Sequence, residues 1–461
     1  MADENEPISG GSTQDELRAA IHSASDLVPG GHVSGPGPES VPAFNRDVQD
    51  PYGALRLREF RFLLCSNACA TLAGRALAVV IGYQIYEQTR DPMALGWLGL
   101  VEAIPAVSLA LFGGHFADRH NRRRIVLTTQ AIIVLCATAF AIFAFNPDHL
   151  RVPILYGIIF LAGVARGFAD PALSAFEAQV VPRELTVNAG AWLSSMWQSC
   201  AIIGPALAGM MYAFAGVATT YVVIAALTAL AWWFMFLIEP RRMPVAHDRL
   251  EPMLTSILMG VKYVGRSQVL CGSMALDLFA VLFGGAMALL PIFASDILKV
   301  GSTGLGFLAA APSVGSLLVT LWATHHAPAR HAGRNLLLSV AGFGVCMIIF
   351  ALSEDFTLSL VALAAAGAFD GVSVVIRKAI LRLMSPEHMR GRVASVSWVF
   401  ISSSNELGAF ESGVAAKCLG TVRSVWMGGI VTLGVVAGAA LLLPELRRLD
   451  LRKHEQEVNP A

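Results

Sequence analysis

Apolar residues gather along the chain into runs of about twenty, separated by short polar clusters, and about 20 residues in a helix are enough to cross 30 Å of hydrocarbon. The pattern predicts twelve spanning helices, at 60–86, 94–116, 124–145, 152–175, 188–213, 219–238, 268–292, 303–324, 334–352, 357–380, 393–416 and 424–443. The connections are short except around 239–267, where EPRRMPVAHDRLEPM breaks the hydrophobicity and leads into a partly amphipathic stretch. Residues 1–54, with GSTQDE and SGPGPES, have too little apolar surface to fold alone and read as a disordered tail. They lack a basic segment followed by an apolar one, so the first spanning helix is expected to direct insertion. The expected organisation is a tail (1–54), a first six-helix bundle (55–238), a linker (239–267), a second six-helix bundle (268–445) and a C-terminal tail (446–461). The fold class is an all-α membrane protein of two pseudo-symmetric bundles.

The halves are related at one fixed offset. Pro182 aligns with Pro386, Gly204 with Gly408, Gly209 with Gly413, Gly216 with Gly420 and Pro240 with Pro444. A parallel repeat of this kind suits two bundles that rock about a site at mid-depth. Composition agrees, with 55% hydrophobic and 14% charged residues, too little polar surface for a soluble fold of this size. Balanced charge, 33 basic against 33 acidic residues, points to no nucleic-acid partner. Basic residues crowd alternate connections, among them Arg119, Arg122, Arg123, Arg124, Arg241, Arg242, Arg390 and Arg392. The opposite connections hold Arg90, Arg151, Lys299, Lys417 and Arg423. The asymmetry predicts cytoplasmic termini and a cytoplasmic linker. Seven cysteines lie in or beside apolar runs without CxxC spacing, so they read as small buried packing residues, with no metal site expected.

The polar strings that remain carry chemistry. Gly114-His-Phe-Ala-Asp118-Arg119-His120-Asn121-Arg122-Arg123-Arg124 joins spans two and three, where Asp118 can cap a helix or hold an arginine. This string resembles the loop signature of the major facilitator superfamily, with Asn121 where that family usually has a second glycine. Arg166 and Asp170, within Gly163-Val-Ala-Arg-Gly-Phe-Ala-Asp-Pro171, look like that family's buried-arginine motif. Gly204-Pro205-Ala-Leu-Ala-Gly209 is similar to its antiporter motif, with Ala208 in place of a glycine. Pro386-Glu-His-Met-Arg-Gly-Arg-Val393 and Ser404-Asn-Glu-Leu-Gly-Ala-Phe-Glu-Ser-Gly413 resemble the bacterial branch of enterobactin exporters and transmembrane secretion effectors. The likeness implies an inner-membrane efflux protein for siderophore-like or drug-like compounds, with Gly114, Asp118, Arg119, Arg122 and Arg123 as its gating loop.

Ionisable groups within spans are costly and so are functional candidates. They are Arg75, Glu102, Arg166, Asp170, Asp277, Asp370, Arg377, Glu406 and Glu411. Arg166 and Asp170, four apart, share a helix face and are expected to pair, and the repeat sets Arg166 against Asp370 as a cross-bundle pair that alternating access would break. Asp370 is the expected proton-coupling carboxylate, with Glu102 and Glu406 next, and Asp370 with Arg377 is the structural alternative. Trp192, Trp197, Phe168, Phe279, Phe283, Trp398 and Phe410 lie on spans able to line a pocket. Neither HExxH, nor GxSxG, nor a GxxxxGK[ST] loop occurs, so an intramembrane enzyme and an ATP-driven pump are disfavoured and an ion gradient must supply the energy. The chain therefore reads as a proton-coupled exporter of a small amphipathic compound, without cofactor, whose partners are its substrate, the coupling ion and the bilayer. Sodium coupling, an importer or lysophospholipid translocator of the same fold, and a non-transporting sensor are the alternatives.

Overall fold

The computed structural model describes residues 50–145, 151–239, 253–284, 286–325, 330–386 and 389–451. The expected tail up to residue 49, most of the connection at 240–252 and the last residues from 452 lie outside the described set, as do the side chains of Asp118, Arg183 and Trp398. The long helices are α1 (Arg58–Thr89), α2 (Pro92–Arg119), α3 (Arg122–Ala144), α4 (Val152–Val180) and α5 (Thr186–Phe236). After them come α6 (Met253–Arg266), α7 (Gln268–Gly284), α8 (Gly301–His325), α9 (Ala332–Leu352), α10 (Phe356–Met384), α11 (Arg390–Leu419) and α12 (Thr421–Leu442). No strand occurs among the described residues.

Local chemistry starts several of these helices. The Asp91 side chain accepts from the Met93 backbone N–H at 3.0 Å ahead of α2, Asn121 from Arg124 at 3.2 Å ahead of α3, and Asp355 from Leu358 at 2.7 Å ahead of α10. Each satisfies an otherwise unpaired first-turn donor. Asn121, which departs from the expected glycine, is thus a helix cap.

Ten helices among the described residues are long and apolar enough to cross a membrane. One of them, α5, has 51 residues, which at 1.5 Å each would reach about 75 Å and overshoot any bilayer. It is interrupted at Gly216, whose φ of 79° and ψ of 170° leave the helical region. On α1, the Ser66 hydroxyl donates to the Ala231 carbonyl and the Ala68 carbonyl faces Cys200, so residues 200 and 231 lie at one depth. The chain therefore turns back at Gly216, close to midway between them. Gly420, its repeat partner, joins α11 to α12 at φ 90°. Both positions need a backbone conformation that a side chain strains, which is why the repeat keeps glycine there. The remaining long helix, α11, has 30 residues but carries Ser404, Asn405, Glu406 and Glu411, and it falls outside the ten.

Packing follows the repeat. In the first half α1 lies on α5, α2 on α4, and α3 against α4 and α5; in the second, α8 lies on α10, α9 on α10 and α12, and α7 on α11 and α12. A Cβ on Gly163 of α4 would stand 2.5 Å from the Glu102 carbonyl of α2, and one on Gly367 of α10 would stand 2.0 Å from the Pro312 carbonyl of α8. The halves meet where α5 crosses α8 and α2 crosses α11. Three of the seven cysteines, Cys65, Cys271 and Cys418, are exposed rather than buried, which corrects the packing expectation for them. An apolar span has a lipid-facing side as well as a packed one, and a thiol is at home on either.

Candidate substrate path and gate

Glycines bring the two halves into close approach at one end, opposite the Arg119–Arg124 loop. A Cβ on Gly413 of α11 would lie 2.7 Å from the Cα of Gly96 on α2, and one on Gly209 of α5 would lie 2.3 Å from the Ser302 carbonyl of α8. Polar ties join the same end. Lys417 reaches Asp91 at 2.9 Å, Arg90 reaches Asp296 at 2.9 Å, and the Tyr86 hydroxyl donates to Asp296. The Lys417 ammonium, with help from the Met93 N–H, holds the Asp91 carboxyl below its ordinary 3.8. Trp97 meets Phe410 edge to face across the same seam, with centroids 5.2 Å apart. This latch was not read from the sequence, although the few charges of the sparse loops, Arg90 and Lys417 among them, were its signal.

At mid-depth the helices assemble the intramembrane charges. Arg166 of α4 pairs with Glu102 of α2, not with Asp170 on its own helix, and not with Asp370 across the halves. The absence of a Cβ at Gly163 brings α2 close enough to supply that carboxylate. Glu406 of α11 extends toward them, since a Cβ on Gly99 of α2 would sit 3.1 Å from its Oε2, and it lies within electrostatic reach of both Glu102 and Arg166. Arg75 of α1 stands 4.7 Å over the Trp197 ring of α5. Its Cβ is the atom that Gly204 accommodates, at 2.8 Å from the position a Cβ there would take. Of the antiporter-like string, Gly204 thus faces α1, while the Pro205 carbonyl and Gly209 face α8.

The second half contains a cavity of about 230 Å³ lined by Asp277, Met287, Phe343, Phe369, Asp370 and Asn405 among others. Arg377 pairs with Asp277 of α7, both side chains nearly enclosed. Asp370 lies 3.8 Å from the same guanidinium and keeps 47% of its side chain exposed. The arginine is therefore held mainly by a partner on another helix, and Asp370 is left as the accessible carboxylate of the cavity wall. Burial of a charge demands such pairing, and Arg377 still keeps its Nε without a partner among the described residues.

In the Arg-rich loop, Gly114 and Arg119 lie in the last turns of α2, and Arg122 and Arg123 open α3. Arg123 donates to the Phe236 carbonyl at 2.6 Å and lies over its ring, and Arg122 donates to the Ala175 carbonyl at 3.4 Å. Arg123 thus satisfies a carbonyl at the C-terminus of α5, where a cation is favoured, while Arg122 reaches a carbonyl more than a turn inside α4.

Comparison with known proteins agrees with this architecture. The sequence profile described as Major Facilitator Superfamily matches residues 63–409. The chain is 26% identical over 394 residues to the enterobactin exporter EntS of Shigella flexneri, covering 84% of this chain and 92% of that protein, and to the same protein of Escherichia coli O1:K1 at the same identity and coverage. Among solved structures it is similar to a bacterial homolog of the human lysosomal transporter Spinster (TM-score 0.67, 14% identity, 88% of this chain and 99% of that one). It is also similar to a POT family transporter in complex with 5-aminolevulinic acid (TM-score 0.67, 11% identity, 84% and 96%).

Proposed function

The chain belongs to the Major Facilitator Superfamily and is a multi-pass membrane transporter, and on that premise we propose that it is a proton-coupled exporter of a small amphipathic compound working by alternating access. The likeness to an enterobactin exporter and the Gly204–Gly209 string support export. Twelve spans in two bundles, 55–238 and 268–445, with a cytoplasmic linker and cytoplasmic termini, complete the reading. In that orientation the glycine approaches and the Lys417–Asp91 and Arg90–Asp296 ties close the outer end, and the path opens inward. The Asp118 to Arg123 loop would then close the inner end in the opposite state.

The observation that carries proton coupling is the placement of Asp370. It is a half-exposed carboxylate on the wall of an otherwise largely apolar cavity, next to an arginine already committed to Asp277. A rocking motion that changes its distance to Arg377 changes its affinity for a proton, which is what coupling requires. Glu102 and Glu406, facing each other across the two halves, are the next candidates.

The test is transport by reconstituted protein carrying Asp370→Asn. Loss of gradient-driven flux with substrate exchange retained is the expected outcome. Unchanged proton-driven flux would remove Asp370 from the role. Saturable binding without flux in the parent protein would mark a sensor instead of a carrier.

A further inference from the structure

The first half of the path holds a cation that no carboxylate among the described residues neutralises. Arg75 has no carboxylate partner among the described residues; the charged group that acts on it is Arg166, another arginine. Arg166 has Glu102, whereas the partner of Arg75 among the described residues is the Trp197 ring. Bare guanidinium groups in spanning helices are expensive and are kept where something pairs with them.

Helix geometry places this cation on the path. On α1, residues seven and eleven positions apart fall on one face. Gly82 on that stripe approaches Pro291 of the second half, a Cβ there standing 3.5 Å from its ring, and Tyr86 bonds to Asp296 of the second half. Arg75 lies on the same stripe, two turns deeper, and so points toward the second half. Trp197 is placed as consistently. Its neighbour Gln198 donates to the Ser313 carbonyl of α8 at 2.7 Å, and Cys200 and Gly204 face α1. The ring therefore lies on the sector of α5 between α1 and α8, yet it is 49% exposed. An exposed indole on an interior sector, beside an unneutralised guanidinium, is a surface for a flat apolar group bearing a negative charge.

We propose that Arg75 and Trp197 form an anion-binding subsite, and that the transported compound carries an acidic group on an aromatic or otherwise planar body. An aromatic carboxylate, sulfonate or phenolate has this chemistry: the guanidinium takes the anion by paired N–H donors, and the indole takes the flat face. The subsite deepens the exporter reading and rests on it for its role as a substrate site. It is separate from the Asp370 cavity, whose carboxylate would repel the same group.

The probe is 1-naphthoate, with its neutral methyl ester and the cation 1-naphthylmethylamine as controls, titrated calorimetrically into the full chain in lipid nanodiscs. Naphthoate is expected to bind at least about tenfold more tightly than either control, as losing a desolvated charge pair predicts. Arg75→Gln should erase that preference without changing ester binding. Arg75→Lys, which keeps charge and bulk, should retain part of it, and Trp197→Leu should weaken naphthoate and ester alike. Equal affinity for naphthoate and ester in the parent, preference for the amine, or an unchanged preference in a folded Arg75→Gln protein would overturn the subsite. Flux in proteoliposomes separates the two claims. Arg75-dependent binding with no naphthoate transport would sink the transport reading and leave the subsite. Transport of naphthoate indifferent to Arg75→Gln would do the reverse.

Discussion

Charged side chains in an apolar interior answer to their nearest partner, and the nearest partner is often on another helix. Arg377 illustrates this: Asp370 is seven residues away on its own helix, but the closer carboxylate is Asp277 on α7. Removing one member of an enclosed pair leaves the other charge stranded at a cost of about 3–5 kcal/mol, whereas replacing both by apolar residues is often close to neutral. Asp277→Asn should therefore lower the thermal unfolding temperature of the purified protein markedly, and Asp277→Leu with Arg377→Met should recover most of the loss. An Asp277→Asn protein as stable as the parent would show that the pair has no structural weight. The sequence displayed both residues as intramembrane charges, but their spacing along the chain carried no sign of their pairing. Arg166 makes the same point in the first half, since an acceptable partner four residues away is passed over for Glu102.

At the scale of elements, glycines decide how close the helices of the two halves can come. Gly209 and Gly413 are equivalent in the repeat, and each supports one of the two crossings at the latched end. The atoms in the way of a Cβ at Gly209 are backbone, 2.3 Å off at the Ser302 carbonyl, so no rotamer change relieves the clash. Gly209→Val should spread α5 from α8 and shift the population away from the state closed at that end. With a cysteine placed at Ser302 in a background whose seven cysteines are replaced, a membrane-impermeant maleimide should react at least about tenfold faster, the shift that 1.4 kcal/mol produces. Unchanged labelling in a folded protein would mean that the crossing does not control closure. Helix positions and the break at Gly216 were legible in advance, because spanning length, apolar runs and turn residues are local signals. Spans five and six, expected as separate helices at 188–213 and 219–238, are separate in the structure, with helical geometry kept up to the turn on both sides of Gly216.

For the whole molecule, the proposed alternating access would set its balance between conformations by weak surface ties added to those crossings. Lys417 and Asp91 are both well exposed, and such pairs contribute about 0.2–1 kcal/mol and are screened by salt. Because the Asp91 carboxyl is held below 3.8 in this closed state, the tie contributes above the ordinary aspartate range and is lost only as pH falls through the lowered value. Neutral-range pH changes should leave it intact, and ionic strength should weaken it. Asp91→Asn keeps a helix-capping side chain while deleting the charge. It is expected to raise accessibility at the latched end by no more than about fivefold at low salt, with the difference from the parent vanishing at high salt. A difference that grew with salt would exclude an electrostatic latch at this pair.

The sequence alone determined that the chain spans a membrane, roughly where each helix runs, that its halves repeat, and that its loop and span motifs resemble the major facilitator superfamily. Those properties reside in stretches of about twenty residues or in recurrences at a fixed spacing, so they can be read without knowing what touches what. Only the tertiary structure decided which acids neutralise Arg166 and Arg377, that Arg75 has a tryptophan in place of one, that Cys65, Cys271 and Cys418 are exposed, and which end the inter-half ties join. The reason is physical: ion-pair energies and helix contacts depend on distances of a few ångströms between residues remote in the chain. Several pairings of the same arginines and carboxylates are equally compatible with one linear order, and the packing of α1, α2, α4 and α7 selects among them.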